Sequence, residues 1–189
     1  MHAKPGHALL LPGRGYGPQQ PLLHFARRCL VEAGCEVHTL TWPKGEVGAD
    51  VVVALVEEAA ARLPGRPSDL VLLAKSLGTL AIPWAAQYGV RGIWLTPLLQ
   101  VPEIRAALGS LPAGSLLAGG TADATWDGDV AAASGLPVLQ IEGGDHLLEI
   151  PGDVHRSVAA LARVVTAVSD TVTPSIREDL TPLRGLPLR

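Results

Sequence analysis

The sequence predicts an α/β protein, namely a three-layer α/β/α sandwich built around a mostly parallel sheet of about six strands. Short apolar runs alternate along the chain with longer segments of helical periodicity, the order expected of β-α-β units with right-handed crossovers. Most of the apolar runs are nearly continuous in Leu, Val and Ile, as in parallel strands covered on both faces. The chain has 189 residues, of which 48% are hydrophobic and 17% charged, enough for one domain with a sizeable core.

Six strands and four helices are predicted from these patterns. The strands are residues 7–12, 35–41, 69–75, 91–96, 115–119 and 137–141. The helices are residues 21–33, 50–63, 77–88 and 153–169. Gly34 is expected to end the first helix, Asp50 to cap the second and Pro64 to end it. Pro83 is expected to kink the third helix or to shorten it by a turn.

The composition excludes several classes of function. The net charge of −3 and the pI near 6.0 give no reason to expect nucleic acid or an anionic membrane as a partner. The two cysteines, Cys29 and Cys35, are too few for a disulfide framework or a four-thiolate zinc site. The amino-terminal segment has the pattern of neither a signal peptide nor a membrane span, so we expect a cytoplasmic protein. Its domain covers residues 1–170, and a proline-rich tail covers 171–189.

Ser76 stands where a buried strand gives way directly to a helix, in the segment LVLLAKSLGT. Ligands of open α/β sheets bind at the carboxyl ends of the strands. The residues two before and two after the serine are Ala74 and Gly78, both small. This spacing is typical of a nucleophile elbow, G-x-S-x-G, with Ala in place of the first Gly. The alternative interpretation is a serine that only caps the following helix.

A nucleophilic serine needs a base, and the base needs an orienting acid. Of the six histidines, only His146, in VLQIEGGDHLLE, follows a predicted strand at the same edge as the serine. The segment GGTADATWD follows another strand and offers Asp123 as the acid, with Asp127 as the main alternative. Asp129 is a nearby competitor, and Asp145 is too close to the histidine along the chain to orient it easily.

Two backbone N–H groups are expected to form an oxyanion hole. One is that of Leu77, directly after the serine, where the helix dipole favours negative charge. The other is placed at Arg14, with Gly15 as the alternative, in the glycine-rich loop LLLPGRGYGPQ after the first strand. A dinucleotide fingerprint does not fit this loop, because Pro18 stands in the position of its last glycine.

Four motifs, LLPGRGYG, AKSLGT, GGTAD and GGDHLLE, together resemble the α/β-hydrolase superfamily, specifically its small cap-less serine hydrolases of the dienelactone-hydrolase size class. The resemblance covers about residues 7–169 and implies that Ser76 is the nucleophile, Asp123 the acid and His146 the base. The usual leading antiparallel strands are missing, since the chain starts at what resembles the family's third strand. Lys75 is an uncommon neighbour of the nucleophile; it could tune the potential of the site, but we expect it to pair with an acidic side chain on the surface.

These features predict a serine hydrolase that cleaves a small ester, thioester or related acyl substrate without a metal or organic cofactor. Residues 97–114 are too few for a helical cap, so the site is expected to be open and shallow. Its rim is expected at the strand ends and would suit an apolar group: Leu98, Leu99, Trp126, Leu147 and Leu148. The sequence leaves a homodimer open. The alternative function is a binding or scaffold protein that keeps the fold without turnover.

Overall fold

A six-stranded sheet forms the centre of the protein, whose computed structural model describes residues 6–173. All neighbouring strands are parallel, in the order β2-β1-β3-β4-β5-β6. The strands are β1 (His7–Leu11), β2 (Glu36–Thr39), β3 (Leu70–Lys75), β4 (Arg91–Leu95), β5 (Leu116–Gly120) and β6 (Val138–Ile141). The six predicted strands are therefore confirmed, each to within two residues at either end.

Within the described part of the chain, six α-helices connect or follow these strands: α1 (Pro21–Glu32), α2 (Ala49–Ala61), α3 (Ile82–Tyr88), α4 (Pro102–Ala107), α5 (Gly128–Ala133) and α6 (Val154–Val172). Buried side chains of α1 and α6 pack on one face of the sheet, and those of α2 to α5 pack on the other. Successive residues of the four central strands, β1, β3, β4 and β5, contribute alternately to these two cores, as the pleat requires. The predicted three-layer α/β/α sandwich is confirmed.

The strand order reverses between β1 and β3, because β2 lies on the outer side of β1 whereas β4 to β6 extend from β3. The loops that follow β1 and β3 therefore leave the sheet side by side, in opposite directions. Such a reversal opens a crevice at the carboxyl ends of the strands. In this chain the two loops at the reversal are the glycine-rich loop after β1 and the turn at Ser76 after β3.

Three helix predictions need correction. Gly48, not Asp50, is the N-cap of α2, and Asp50 lies in the first turn, where its charge favours the helix dipole. The predicted helix 77–88 is a 3₁₀ helix over Ser76–Ala81 followed by α3. Pro83 stands in the first turn of α3, where a backbone N–H would have no partner within the helix, so the missing N–H of the proline costs no hydrogen bond. The short helices α4 and α5 are not predicted at all.

The helix α6 starts at its N-cap Asp153 and extends to Val172, which takes in the first residues of the predicted tail. The remainder of that tail, residues 174–189, lies outside the described residues. None of the helices within residues 6–173 is long and apolar enough to cross a membrane.

Candidate active site

Ser76 occupies a sharp turn between β3 and the 3₁₀ helix. Its φ is +49°, a left-handed conformation that is rare for a residue with a side chain and is associated with functional turns. Gly78 makes this turn possible, because a Cβ at that position would collide with the carbonyl oxygen of Leu11 on the neighbouring strand. Ala74 is fully buried on β3. The small residues on both sides of the serine thus have a steric cause, as the motif predicts.

His146 lies in the loop after β6, and its ring contacts two of the predicted site residues. Its Nε2 atom is 2.8 Å from Ser76 Oγ, and its Nδ1 atom is 2.8 Å from Asp123 Oδ2. The Ser76 hydroxyl thus contacts an imidazole, and the N-cap of the 3₁₀ helix is Lys75 instead of the serine. The side chain of His146 is 37% exposed, so a ligand can reach this edge of the site.

Asp123 lies in the loop after β5, and its side chain is only 2% exposed. Its second oxygen, Oδ1, accepts hydrogen bonds from the backbone N–H of Thr125 at 2.8 Å and from the Thr125 hydroxyl at 2.9 Å. Burial alone would raise the pKa of this carboxyl, but the hydrogen bonds from His146 and Thr125 outweigh it and lower the pKa below its ordinary value. The carboxylate therefore remains charged at neutral pH.

Thr125 was not among the predicted site residues. Its hydroxyl is also 3.3 Å from His146 Nδ1, so it contacts both the acid and the base. The signal that could have found it is the Asp-x-Thr spacing after a strand, since an aspartate commonly accepts a bond from the N–H two residues on.

The alternative acid, Asp127, has a different place. It is the N-cap of α5, where its side chain accepts a hydrogen bond from the N–H of Val130 at 3.1 Å. Its other oxygen is 3.0 Å from the guanidinium of Arg105. Both oxygens of Asp127 therefore have partners away from His146.

The side chains of Ser76, His146 and Asp123 thus form one line of a hydroxyl, an imidazole and a buried carboxylate. Such a line can pass the serine proton to the imidazole and stabilise the cation that forms.

The glycine-rich loop lies directly against the serine turn. A Cβ built on Gly13 would be 3.5 Å from the Cβ of Ser76. Gly13 and Tyr16 close a tight turn through two backbone hydrogen bonds, and Gly15 within it has a φ of +70°. The exposed Arg14 lies in the same turn, and its side chain reaches the carbonyl oxygen of Val47.

Lys75 differs from the prediction, because it is 1% exposed instead of lying at the surface. Its ammonium group donates to the carbonyl oxygen of His146 at 2.9 Å and to the hydroxyl of Thr96 at 3.1 Å. It also lies over the ring of Tyr16, 4.7 Å from the centroid. The Lys75 side chain at the end of β3 is buried at the edge of the sheet, so the prediction of a surface ion pair is wrong. Instead, Lys75 holds the backbone of the histidine loop.

Burial lowers the pKa of Lys75 from 10.5 to about 8, although the charges of Asp123 and Asp145 act in the opposite direction. In an unfolded chain this pKa returns to its ordinary value. Between the two values the unfolded state binds more protons than the fold, so the free energy of unfolding increases with pH. We expect the contribution of Lys75 to grow by a few kcal/mol from about pH 7 to about pH 10.

Urea unfolding of the wild type and of Lys75→Met over this pH range measures that contribution. As the pH rises, the free energy of unfolding of the wild type should increase relative to that of Lys75→Met. Lys44→Met, at an exposed lysine, is the control and should show no such shift. A difference between wild type and Lys75→Met that does not change with pH would contradict the lowered pKa.

The side chains predicted at the rim do not all lie there. Leu99 is fully buried and Leu148 is 2% exposed, so both belong to the core instead of the rim. The chain turns inward at Leu99, whose N–H donates to the carbonyl oxygens of Pro97 and Thr125. This backbone course brings the leucine under the loop, which the sequence pattern did not show.

The other three predicted rim residues keep exposed surface. Leu98 is half-buried, and its N–H donates to the Thr79 hydroxyl in the 3₁₀ helix. Trp126 is half-buried over Gly119, where any side chain on the glycine would collide with the indole. Leu147, next to His146 in the chain, is 39% exposed. The three residues come from three different loops.

A groove of about 490 Å³ lies beside the histidine loop. Leu147 and Tyr16 line it on one side, and the start of α6, with Val154 and Val158, lines it on the other. Both valines are largely exposed. The groove is thus a mostly apolar surface that includes the residue following His146, with Asp145, Glu149 and Asp153 also in its lining, although Ser76 and His146 do not line it.

Comparisons with known proteins agree with this architecture. No family model matches the sequence, and no curated protein matches it either. Among solved structures, a serine hydrolase homologue from Coxiella burnetii has a TM-score of 0.63 at 14% identity, over 86% of this chain and 85% of that chain. Est1E from Butyrivibrio proteoclasticus has a TM-score of 0.68 at 12% identity, over 90% of both chains. A dienelactone hydrolase from Anabaena variabilis has a TM-score of 0.61 at 20% identity, over 89% of this chain and 85% of that chain.

These identities are low, so the likeness concerns the fold. It extends over most of this chain and most of each matched chain, and it includes the parallel sheet that carries the site residues at its carboxyl edge. The chain therefore has the fold of the α/β-hydrolase superfamily.

Proposed function

We propose that this protein is a serine hydrolase that cleaves a small ester, thioester or related acyl compound. The proposal rests chiefly on one observation, the hydrogen-bonded line from Ser76 Oγ through the ring of His146 to the buried carboxylate of Asp123, with 2.8 Å at each contact. The left-handed turn at the serine supports it. So does the low pKa of Asp123, because a charged carboxylate stabilises a protonated imidazole.

In the proposed reaction Ser76 Oγ forms a bond to the acyl carbon as its proton passes to His146 Nε2. The carbonyl electron pair moves to the oxygen and makes an oxyanion. When this intermediate collapses, the bond to the leaving group breaks and His146 returns the proton to it. Water then attacks the acylated serine, with its proton taken by the same imidazole and given back to the departing serine oxygen. No other reactant is required.

The oxyanion hole is proposed at the backbone N–H groups of Leu77 and Arg14, with Gly15 as the competitor of Arg14. Leu77 is the second residue of the 3₁₀ helix, where an N–H has no partner within the helix. Arg14 lies in the loop that packs against the serine turn at Gly13. Two such donors on opposite sides of the nucleophile would meet the charge that develops on the carbonyl oxygen.

The proposed substrate is a small molecule with an apolar acyl or alcohol group. The segment between β4 and β5 contains only the short helix α4 and a 3₁₀ turn, which pack against α3 and the sheet core. A segment this short has no room for a helical cap over the proposed site. The exposed Leu147 and the adjacent groove offer apolar surface for the group that extends away from the reacting carbonyl.

A fluorophosphonate probe tests the proposal, since it reacts covalently with activated serines. We expect the wild type to be labelled at one residue and Ser76→Ala to remain unlabelled. Ser68→Ala, at an exposed serine just before β3 and thus at the opposite end of this strand from Ser76, is the matched control and should be labelled like the wild type. Turnover of p-nitrophenyl acetate or butyrate should follow the same pattern. A folded wild type that resists the probe would contradict the proposal and favour a binding protein without turnover.

A further inference from the structure

Two histidines and a glutamate meet at the amino ends of β1 and β2, at the opposite end of the sheet from Ser76. His7 is the first residue of β1, and Glu36 and His38 lie on β2. In the parallel register His7 pairs with Glu36 and Leu9 with His38. Alternate residues of a strand share a face, so the side chains of this His–Glu–His cluster project from the same side of the sheet.

One ligand atom from each residue of the cluster lies within 4.8 Å of the other two. His7 Nδ1 is 3.3 Å from His38 Nε2 and 3.8 Å from Glu36 Oε2, and His38 Nε2 is 3.7 Å from the other carboxylate oxygen, Oε1. In a tetrahedral zinc site with bonds of about 2.0–2.1 Å, neighbouring ligand atoms are separated by roughly 3.4 Å. The two nitrogens already lie at about this separation, and a rotation of the Glu36 carboxylate would bring one of its oxygens towards both of them.

Hydrogen bonding accounts for only part of this arrangement. The two imidazole nitrogens are close enough to share one proton, but both distances to the carboxylate exceed the usual limit of a hydrogen bond. Two imidazoles and a carboxylate are also the donor set found in some zinc enzymes, where a fourth position holds water. The side chains of His7 and His38 are 18% and 33% exposed, so an ion has access from solvent.

Within residues 6–173, Arg62 is a positive side chain near the cluster. Arg62 lines the same shallow surface recess as His38, but its guanidinium is paired with Glu58 on the preceding turn of α2. The glutamate of the cluster would offset the charge of a bound cation. The surroundings thus do not exclude a divalent ion.

We propose that His7, Glu36 and His38 form a binding site for Zn²⁺ that ties the edge strand β2 to β1. The site is separate from the proposed hydrolase site, and it has no part in the chemistry at Ser76. We did not predict this metal site from the sequence, because its ligands come from two strands that are distant in the chain. β2 has only four residues and one neighbouring strand, so a metal that bridges it to β1 would stabilise this edge.

Zinc titration of the untagged, chelator-treated full chain tests this proposal by calorimetry. We expect one Zn²⁺ per chain and a rise in Tm when zinc is present. His38→Ala and Glu36→Gln should each weaken the affinity by at least about tenfold, because loss of even an outer partner of a metal ligand costs about 10- to 100-fold. His155→Ala removes an exposed histidine on α6 and should bind zinc like the wild type.

The glutamine variant keeps the size of an exposed side chain, so it should remain folded, and circular dichroism checks this. A wild type that binds no zinc overturns the proposal. So does zinc binding that is equally strong in His38→Ala and Glu36→Gln, since the ion would then lie elsewhere. Labelling by the fluorophosphonate probe should be the same in all these variants, which separates this test from that of the hydrolase.

Discussion

Replacement of Asp123 by Asn is expected to lower kcat for p-nitrophenyl acetate by about 10⁴-fold, the size of effect that this change has in a serine triad. The amide has no charge to stabilise the imidazolium of His146. In addition, its NH₂ group would donate to Nδ1 and leave the imidazole proton on Nε2, where the serine proton has to go. Because the side chain is buried and bonded to Thr125, water cannot replace the lost acceptor.

Asp127→Asn is the matched control for this prediction. Asn caps helices about as well as Asp, so α5 should persist, and the lost charge removes only the contact with Arg105. We expect its kcat to remain close to that of the wild type. If Asp127→Asn lost more activity than Asp123→Asn, the acid would have been assigned to the wrong carboxylate.

His146→Ala is expected to reduce kcat by at least about 10³-fold, as removal of the base does in other triads. Without the imidazole the Ser76 hydroxyl has no acceptor for its proton. The loop itself should keep its place, because Lys75 bonds the backbone carbonyl of residue 146 and not its ring. The loss can therefore be attributed to the ring.

His24→Ala, at an exposed histidine of α1, serves as the control and should keep the activity of the wild type. Stopped assays at equal concentrations of folded protein compare the three proteins. Near-normal turnover by His146→Ala would place the base elsewhere and remove the main support for the proposed mechanism.

Much of the fold and the gathering of the site residues could be predicted from the sequence. Continuous apolar runs identify parallel strands, and their order along the chain identifies the crossovers. Ser76, Asp123 and His146 each follow a different strand of the same parallel sheet, so their place at one edge follows from chain direction alone. Their distances to one another do not, because loop conformation sets them.

What could not be predicted depends on contacts between distant parts of the chain. A lysine at the end of a buried strand is usually exposed, and contacts with the carbonyl of His146, the hydroxyl of Thr96 and the ring of Tyr16 make the burial of Lys75 favourable. Leu99 has the same apolar character as Leu98, yet backbone bonds in its loop turn it inward. Helices α4 and α5 have six residues each, too short for a periodic signal.

The bond from Lys75 to the loop of His146 has a mechanical consequence. Lys75 directly precedes Ser76 in the chain. The same short stretch of chain therefore carries the proposed nucleophile and, through the lysine side chain, is hydrogen-bonded to the loop that carries the proposed base. A small shift of the end of β3 therefore moves both reacting groups in the same direction. We expect the gap between hydroxyl and imidazole to stay nearly constant during thermal motion of the sheet, even though the two groups are separated by two intervening strands.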